Sequence, residues 1–260
     1  MRIAGFLVLA MFAMVPALSA QTIDVSTRGA VSHPGTAAYP ATARLSDVTD
    51  ASGVSPDAYT LGAAWLQPAL HTDQVRLKAG VLFELGAIHR KAMAEGDDEL
   101  ALRSAAFQSW LSALPVTDRR AGSVLDPARL AVSPADDRPV HAGDTLVFPP
   151  RPGDVRIVGA VAKACRVPHV PMRDARRYLA DCPVSRAADR DAIYVIQPDG
   201  AVFEQEVALW NRDDPRPLAP GAWIYVPFDH RKIAGAAEDD FNRDVADFIA
   251  TQLLDGDGWR

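Results

Sequence analysis

The chain has 260 residues, 48% of them hydrophobic and 23% charged, a balance that excludes a disordered, collagen-like or polytopic membrane protein. Its 27 Lys+Arg against 33 Asp+Glu give a net charge of −6 and a pI near 5.5. With no basic run longer than adjacent pairs such as Arg119-Arg120, that balance argues against a nucleic-acid partner.

In chain order, Arg2 precedes an uncharged apolar run from Ile3 to Val15, then Pro16 and the small residues around Ser19 and Ala20. This reads as a cleavable secretory signal over residues 1–20. The alternative, a membrane anchor, asks for about 20 apolar residues, more than this run supplies before Pro16.

The chain then echoes itself. Val25 to Val31, with Gly29-Ala30-Val31 at its end, recurs 130 positions later as Val155 to Val161, with Gly159-Ala160-Val161. Gly143 to Pro149 recurs 78 positions later as Gly221 to Pro227. The order of the two echoes is the same in both halves, which predicts two copies of one module, the first enlarged by 52 residues. The enlargement falls between Thr72 and Leu114, which reads as a helical hairpin. Val75, Leu82, Leu85 and Ile88 mark one apolar stripe, and Phe107, Trp110, Leu111 and Leu114 mark another. Gly96 divides the two helices, Asp97-Asp98-Glu99 suit the start of the second, and Pro115 ends it. The stripes read as packing faces.

Without that insertion each module is a short β-rich opening, a helix, and further strands. The helices are predicted near Arg44 to Val48 and from Pro171 to about Ala180. Ile193 to Ile196 and Ala201 to Phe203 flank Pro198-Asp199-Gly200, a hairpin with specific turn chemistry. Phe241, Val245, Phe248, Ile249 and Leu253 then form one face of an amphipathic C-terminal helix. It is read either as docked on its own domain or as an element for a partner, a membrane surface or an oligomeric ring.

Export makes a disulfide the leading reading of Cys165 and Cys182, 17 positions apart, against two unpaired buried thiols. No metal site is expected, because the six histidines are scattered and none forms a close pair with a cysteine or another histidine. Nor does the chain carry a Gly-x-Ser-x-Gly elbow, a phosphate-binding Gly-x-x-x-x-Gly-Lys, a Cys-x-x-Cys or a His-Glu-x-x-His. The carboxylate pairs Asp97-Asp98, Asp136-Asp137, Asp213-Asp214 and Asp239-Asp240 are read as caps and solvated loops. No cofactor is implied.

What remains suits binding. Arg119 and Arg120 follow the helical hairpin, Arg151 lies between the modules, and Trp210-Asn211 lies in the second copy. An aromatic face covers the apolar side of a sugar ring, Asn and Arg satisfy hydroxyls, and Arg grips a carboxylate with two parallel bonds. The plain alternatives are solvated charges for Arg119 and Arg120, a linker charge for Arg151, a core position for Trp210 and a turn for Asn211.

Val25, Gly29-Ala30-Val31, Pro34-Gly35, Tyr39, Leu45, Asp47, Ala51 and Gly53 resemble the pattern of soluble ligand-binding β-grasp modules. Gly143-Asp144-Thr145-Leu146, Pro149-x-Arg151-Pro152 and the run Val155 to Val161 resemble the capsule biosynthesis GfcC family. Pro198-Asp199-Gly200, Trp210-Asn211, Pro220-Gly221 and Tyr225-Val226-Pro227 extend that match. The resemblance implies an α+β protein of two tandem β-grasp domains, at residues 21–153 with a helical insertion at 72–115 and at residues 154–232, followed by a helix and tail at 233–260. It further implies a periplasmic, non-enzymatic accessory protein of capsule or exopolysaccharide assembly, whose partner is polysaccharide or the outer-membrane export machinery. An arginine follows the insertion in that family, and Arg120, or else Arg119, stands in its place here. The runner-up functions are a protein adaptor working through the C-terminal helix and, in another class, a carbohydrate-active enzyme.

Overall fold

The computed structural model describes residues 21–254. The signal segment read at residues 1–20 lies outside the described residues. Among the described residues nine strands form two sheets: β1 (Thr22–Gly29), β2 (Gly35–Pro40), β3 (Ala64–Leu66) and β4 (Thr145–Phe148) make the first, and β5 (Asp154–Gly159), β6 (Cys165–Pro168), β7 (Ala192–Ile196), β8 (Val202–Glu206) and β9 (Trp223–Val226) the second. The helices are α1 (Leu45–Ser52), α2 (His71–Glu95), α3 (Asp98–Ala113), the single turns α4 (Pro127–Leu130), α5 (Ala175–Tyr178) and α6 (His230–Ile233), and α7 (Phe241–Ala250). The fold class is thus α+β, as expected.

The sequence echoes become paired strands. In the first sheet the order is β2-β1-β4-β3 and in the second β6-β5-β9-β7, with β8 added at the edge. The two echoed segments of each half run parallel, Gly29 opposite Phe148 in β1 and β4, Gly159 opposite Val226 in β5 and β9. Those two pairs are related by the same offsets as the echoes, so the sheets agree in register as well as order. The loops follow suit: Val31 bridges Val54 as Val161 bridges Val184. The amide of Tyr59 donates to Pro149 O as that of Asp189 donates to Pro227 O.

Local chemistry explains most boundaries. Gly96 closes α2 in the left-handed region with φ of 73°, where a side chain would be strained. Asp97 then starts α3 by accepting from the amide of Leu100, satisfying one of the free N–H groups of a helix start. One boundary and one buried position differ from the sequence reading. The helix expected from Pro171 begins only at Ala175, because Met172 has a φ of 58° and Asp174 is extended, and neither conformation continues a helix. Val75, assigned to the apolar stripe of α2, is 43% exposed, and Val81 takes the buried position beside Leu85 and Ile88. Three of the four carboxylate pairs act as caps and ties, while Asp239-Asp240 is exposed and Asp240 makes no side-chain cap bond. Asp97 caps α3, Asp137 accepts from the amide and hydroxyl of Ser46, and Asp213 accepts from the amide of Glu206.

Burial is shared unequally between the sheets. Val25, Leu45, Val48, Trp65, Leu146 and Phe148 form a core around the first sheet. The core around the second takes in α7 and the buried faces of α2 and α3 as well. Phe107 of α3 stacks on Tyr225 of β9 at 5.7 Å and Trp110 meets Trp223 at 6.0 Å. The helical hairpin, continuous in sequence with the first module, therefore buries its apolar face against the second sheet. Its tip is fastened there too, since Lys232 pairs with Asp97 at 2.7 Å and Lys91 donates to Lys232 O. Cys165 of β6 is joined to Cys182, which tethers the strand to the turn following α5.

Candidate functional site

The two sheets meet along a seam built by the segment before β3, the β7–β8 turn and the end of the chain after α7. Tyr59, buried, donates its hydroxyl to Pro220 O at 2.9 Å. The amide of Gly122 donates to Asp199 O at 2.8 Å. Arg119 ties all three segments, its guanidinium donating to Ala63 O, Pro198 O and Gln252 O. It is 3% exposed. Burial pulls its pKa down to about 10, opposed by the nearby Asp199, which leaves it charged at neutral pH.

Two depressions open along this seam. One, of about 450 Å³, is lined by Leu61, Gln197, Asp199, Phe203, Arg216 and Pro217. The other, of about 190 Å³, is lined by Thr60, Ser123, Asp126 and Arg129. Both are bordered by Leu61 and Asp199, so they adjoin at the seam and together make up its groove. In its larger part the Arg216 guanidinium lies 4.1 Å from the centre of the Phe203 ring, a cation–aromatic platform. Asp174 accepts from the Arg216 amide and from Gln205 and pairs with Arg176. Its burial acts to raise its pKa, but those donors together hold the carboxyl below its ordinary value. Gln197 braces the same segment by donating to Pro217 O and accepting from the amide of Ala219.

A second hollow, of about 420 Å³, lies at the other end of the second sheet, among Asp189, Arg190, Asp191, Trp210, Asp229 and His230. Trp210 is 77% exposed there. The five-residue strand β7 separates this hollow from the Pro198 turn, a distance of about 17 Å at the usual rise of a strand.

The residues expected to bind are therefore not brought together. Arg119 is buried in the seam. Arg120 is half-buried, bonded to Gln67 at 3.1 Å and 5.8 Å from the Trp65 ring. Arg151 is exposed over Tyr59 at 5.2 Å. Trp210 walls the distant hollow, and Asn211 beside it has a buried Oδ1. Sequence reasoning missed Phe203 and Arg216, although the setting Pro215-Arg216-Pro217 predicts an extended backbone that presents the arginine. It also missed the meeting of His230 with Asp189 and Asp229, for which no local signal exists.

Helix α7 buries Phe241, Val245, Phe248 and Ile249 against α2 and the second sheet. Of the two readings of that helix, docking on its own protein is the one observed, and its apolar face is not free for a partner or membrane surface in this structure. Among the described residues no helix is long and apolar enough to cross a membrane.

Fold and surface together define a two-sheet α+β protein with an open groove at the seam, lined by aromatic, amide and charged groups. Residues 163–253, from just before β6 to just past α7, match the family model for the capsule biosynthesis GfcC C-terminal region. A relative from Escherichia coli (strain K12), the uncharacterized protein YjbG, is 29% identical over 170 residues, covering 64% of this chain and 68% of its own. The resemblance to the GfcC family read from the motifs is thus found again over residues 163–253.

Proposed function

We propose that the protein is a periplasmic, non-enzymatic accessory factor of capsule or exopolysaccharide export that holds a polysaccharide chain in the seam groove while docked on the export machinery. A hairpin, a helix and further strands, two in the first sheet and three in the second, support the reading as tandem β-grasp domains at residues 21–153 and 154–232, with a third element at 233–260, of which residues 255–260 lie outside the described residues. The Cys165–Cys182 bond fits an oxidising compartment reached through a cleaved signal.

The observation that carries the reading is the groove itself. A polymer gripped along its length needs an open site, and the two adjoining open depressions share Leu61 and Asp199. The Phe203–Arg216 platform offers an apolar face for a sugar ring, and Gln197 and Asp199 offer hydroxyl partners. Arg216 or Arg129 supplies the charge for an acidic sugar.

The test is a calorimetric titration of the protein, produced with its own leader, against oligosaccharides cut from the host's exopolysaccharide. Saturable binding that weakens at least tenfold, about 1.4 kcal/mol, in Arg216→Ala supports the groove. Binding unaltered by that change moves the site to Arg120 or Trp210. No binding at millimolar sugar, a limit of about −4 kcal/mol, leaves docking as the function. Polymer that shortens on incubation would make the protein an enzyme.

A further inference from the structure

The equivalence of the two sheets extends past their strands. Asp189 occupies in the second half the place that Tyr59 occupies in the first, each donating its amide to the proline that follows the last echoed strand. Two residues beyond that proline stand Arg151 in the first half and Asp229 in the second. One place in the architecture thus carries two chemistries. In the first half an aromatic ring and an arginine lie together at the seam, with the ring bonded to Pro220. In the second half two carboxylates and the imidazole of His230 converge in an open hollow.

The donor atoms of Asp189, Asp229 and His230 all lie within 4.8 Å of one another. His230 Nδ1 is 3.1 Å from Asp189 Oδ2. Two ligands each about 2.1 Å from one ion, at tetrahedral or octahedral angles, are about 3.0–3.4 Å apart, so this pair already has the spacing of neighbouring ligands. The carboxylates are also aimed. Asp189 Oδ1 accepts from the amides of Asp191 and Ala192, and Asp229 Oδ1 accepts from the amide of Arg231. The backbone therefore orients each group through one oxygen, the kind of outer support that metal ligands receive. Arg231 is engaged with Asp191 at 3.7 Å, and Arg190 also lines the hollow.

We propose that Asp189, Asp229 and His230 form a divalent metal site of the zinc class, open toward the hollow walled by Trp210. Imidazole with two carboxylates suits zinc better than calcium, which prefers oxygen alone. Three protein ligands leave a coordination position facing the 420 Å³ hollow, where water or an oxygen-bearing ligand completes the sphere. This inference does not depend on the seam groove, which lies at the other end of the sheet.

The experiment is a calorimetric titration of zinc ion into the untagged, chelator-treated full protein, alongside His230→Gln and Asp229→Asn. Asparagine caps a helix as aspartate does, so Asp229→Asn keeps the turn and removes only the ligand charge. Binding of one ion per chain, weakened at least tenfold by each change while the metal-free melting temperature is unchanged, supports the site. No saturable binding to the unaltered protein means that His230 and Asp189 form a surface ion pair only, and overturns the proposal. Equal affinity in both variants puts the ion elsewhere and overturns it too.

Discussion

The two sheets share the order and register of four strands, yet they are stabilised by different means. The first closes over a core made by its own strands, α1 and the loops around Leu125, Leu130 and Val140. The second recruits α2, α3 and α7, and also carries the Cys165–Cys182 bond. A duplicated module of this size has little apolar surface to bury by itself. The second copy meets that shortage by borrowing the helices inserted in the first, so the halves are joined by a shared core as well as by the Arg119 seam. Repetition of topology thus does not imply repetition of energetics, or of surface chemistry, as Tyr59 and Arg151 against Asp189 and Asp229 illustrate.

The sharpest way to break this comparison is to remove a residue of the borrowed core. Phe248→Ala, at a fully buried position of α7, is expected to cost about 3–5 kcal/mol, measured by denaturant unfolding. A loss below about 1 kcal/mol would mean that α7 is not part of the second core. Replacing both Cys165 and Cys182 by serine should cost about 3 kcal/mol. Hydrogen exchange should rise in β5, β6 and α5 while the first sheet stays protected; uniform loss of protection would mean that the two sheets unfold as one unit.

Equivalent glycines give a finer comparison. Gly143 and Gly221 hold the same place with φ of 85° and 88°. A Cβ at Gly143 would meet Pro68 at 3.3 Å, whereas at Gly221 it would meet Pro152 at 2.6 Å and Leu254 at 2.9 Å. Both alanine variants bear the strain of a positive φ, but Gly221→Ala adds overpacking, so it should be the more damaging by about 1–3 kcal/mol. Equal midpoints would show that the close approach at Gly221 relaxes freely.

The smallest effect concerns the contact of α2 with α7. Burial, then Asp244, Asp240 and Glu238, raise the Glu84 carboxyl, and burial with Asp240 and Asp247 raises Asp244. A carboxylate whose pKa is raised by folding is less welcome ionised in the folded state than in the unfolded one. Its penalty is therefore present above the raised value and is relieved as the pH falls below its ordinary one. Glu84→Gln should accordingly stabilise the protein at pH 7 by no more than about 0.5 kcal/mol. The gain should disappear at a pH below about 4, where Glu84 is protonated anyway, and a gain independent of pH would remove the charge explanation.

The sequence by itself determined what depends on neighbours along the chain. The echoes marked β1, β4, β5 and β9 because a strand's side-chain alternation and its turn glycines are local properties. Gly96 with Asp97 marked the break between α2 and α3, Pro198-Asp199-Gly200 the β7–β8 turn, and the stripe of Phe241, Val245, Phe248 and Ile249 the helix α7. The motif resemblance pointed to the same family model that residues 163–253 match, since motifs are short and contiguous. Only the tertiary structure decided which sheet would receive the helical hairpin, because an apolar stripe states that a face is buried and not against what. It also decided that Arg119 is a buried tie while Arg120 lies over Trp65, a difference that depends on which way each side chain leaves one short segment. The groove of Phe203 and Arg216, and the meeting of Asp189 with Asp229 and His230, join residues 13 and about 40 positions apart. Such contacts arise from the packing of whole strands and turns, and no local spacing encodes them.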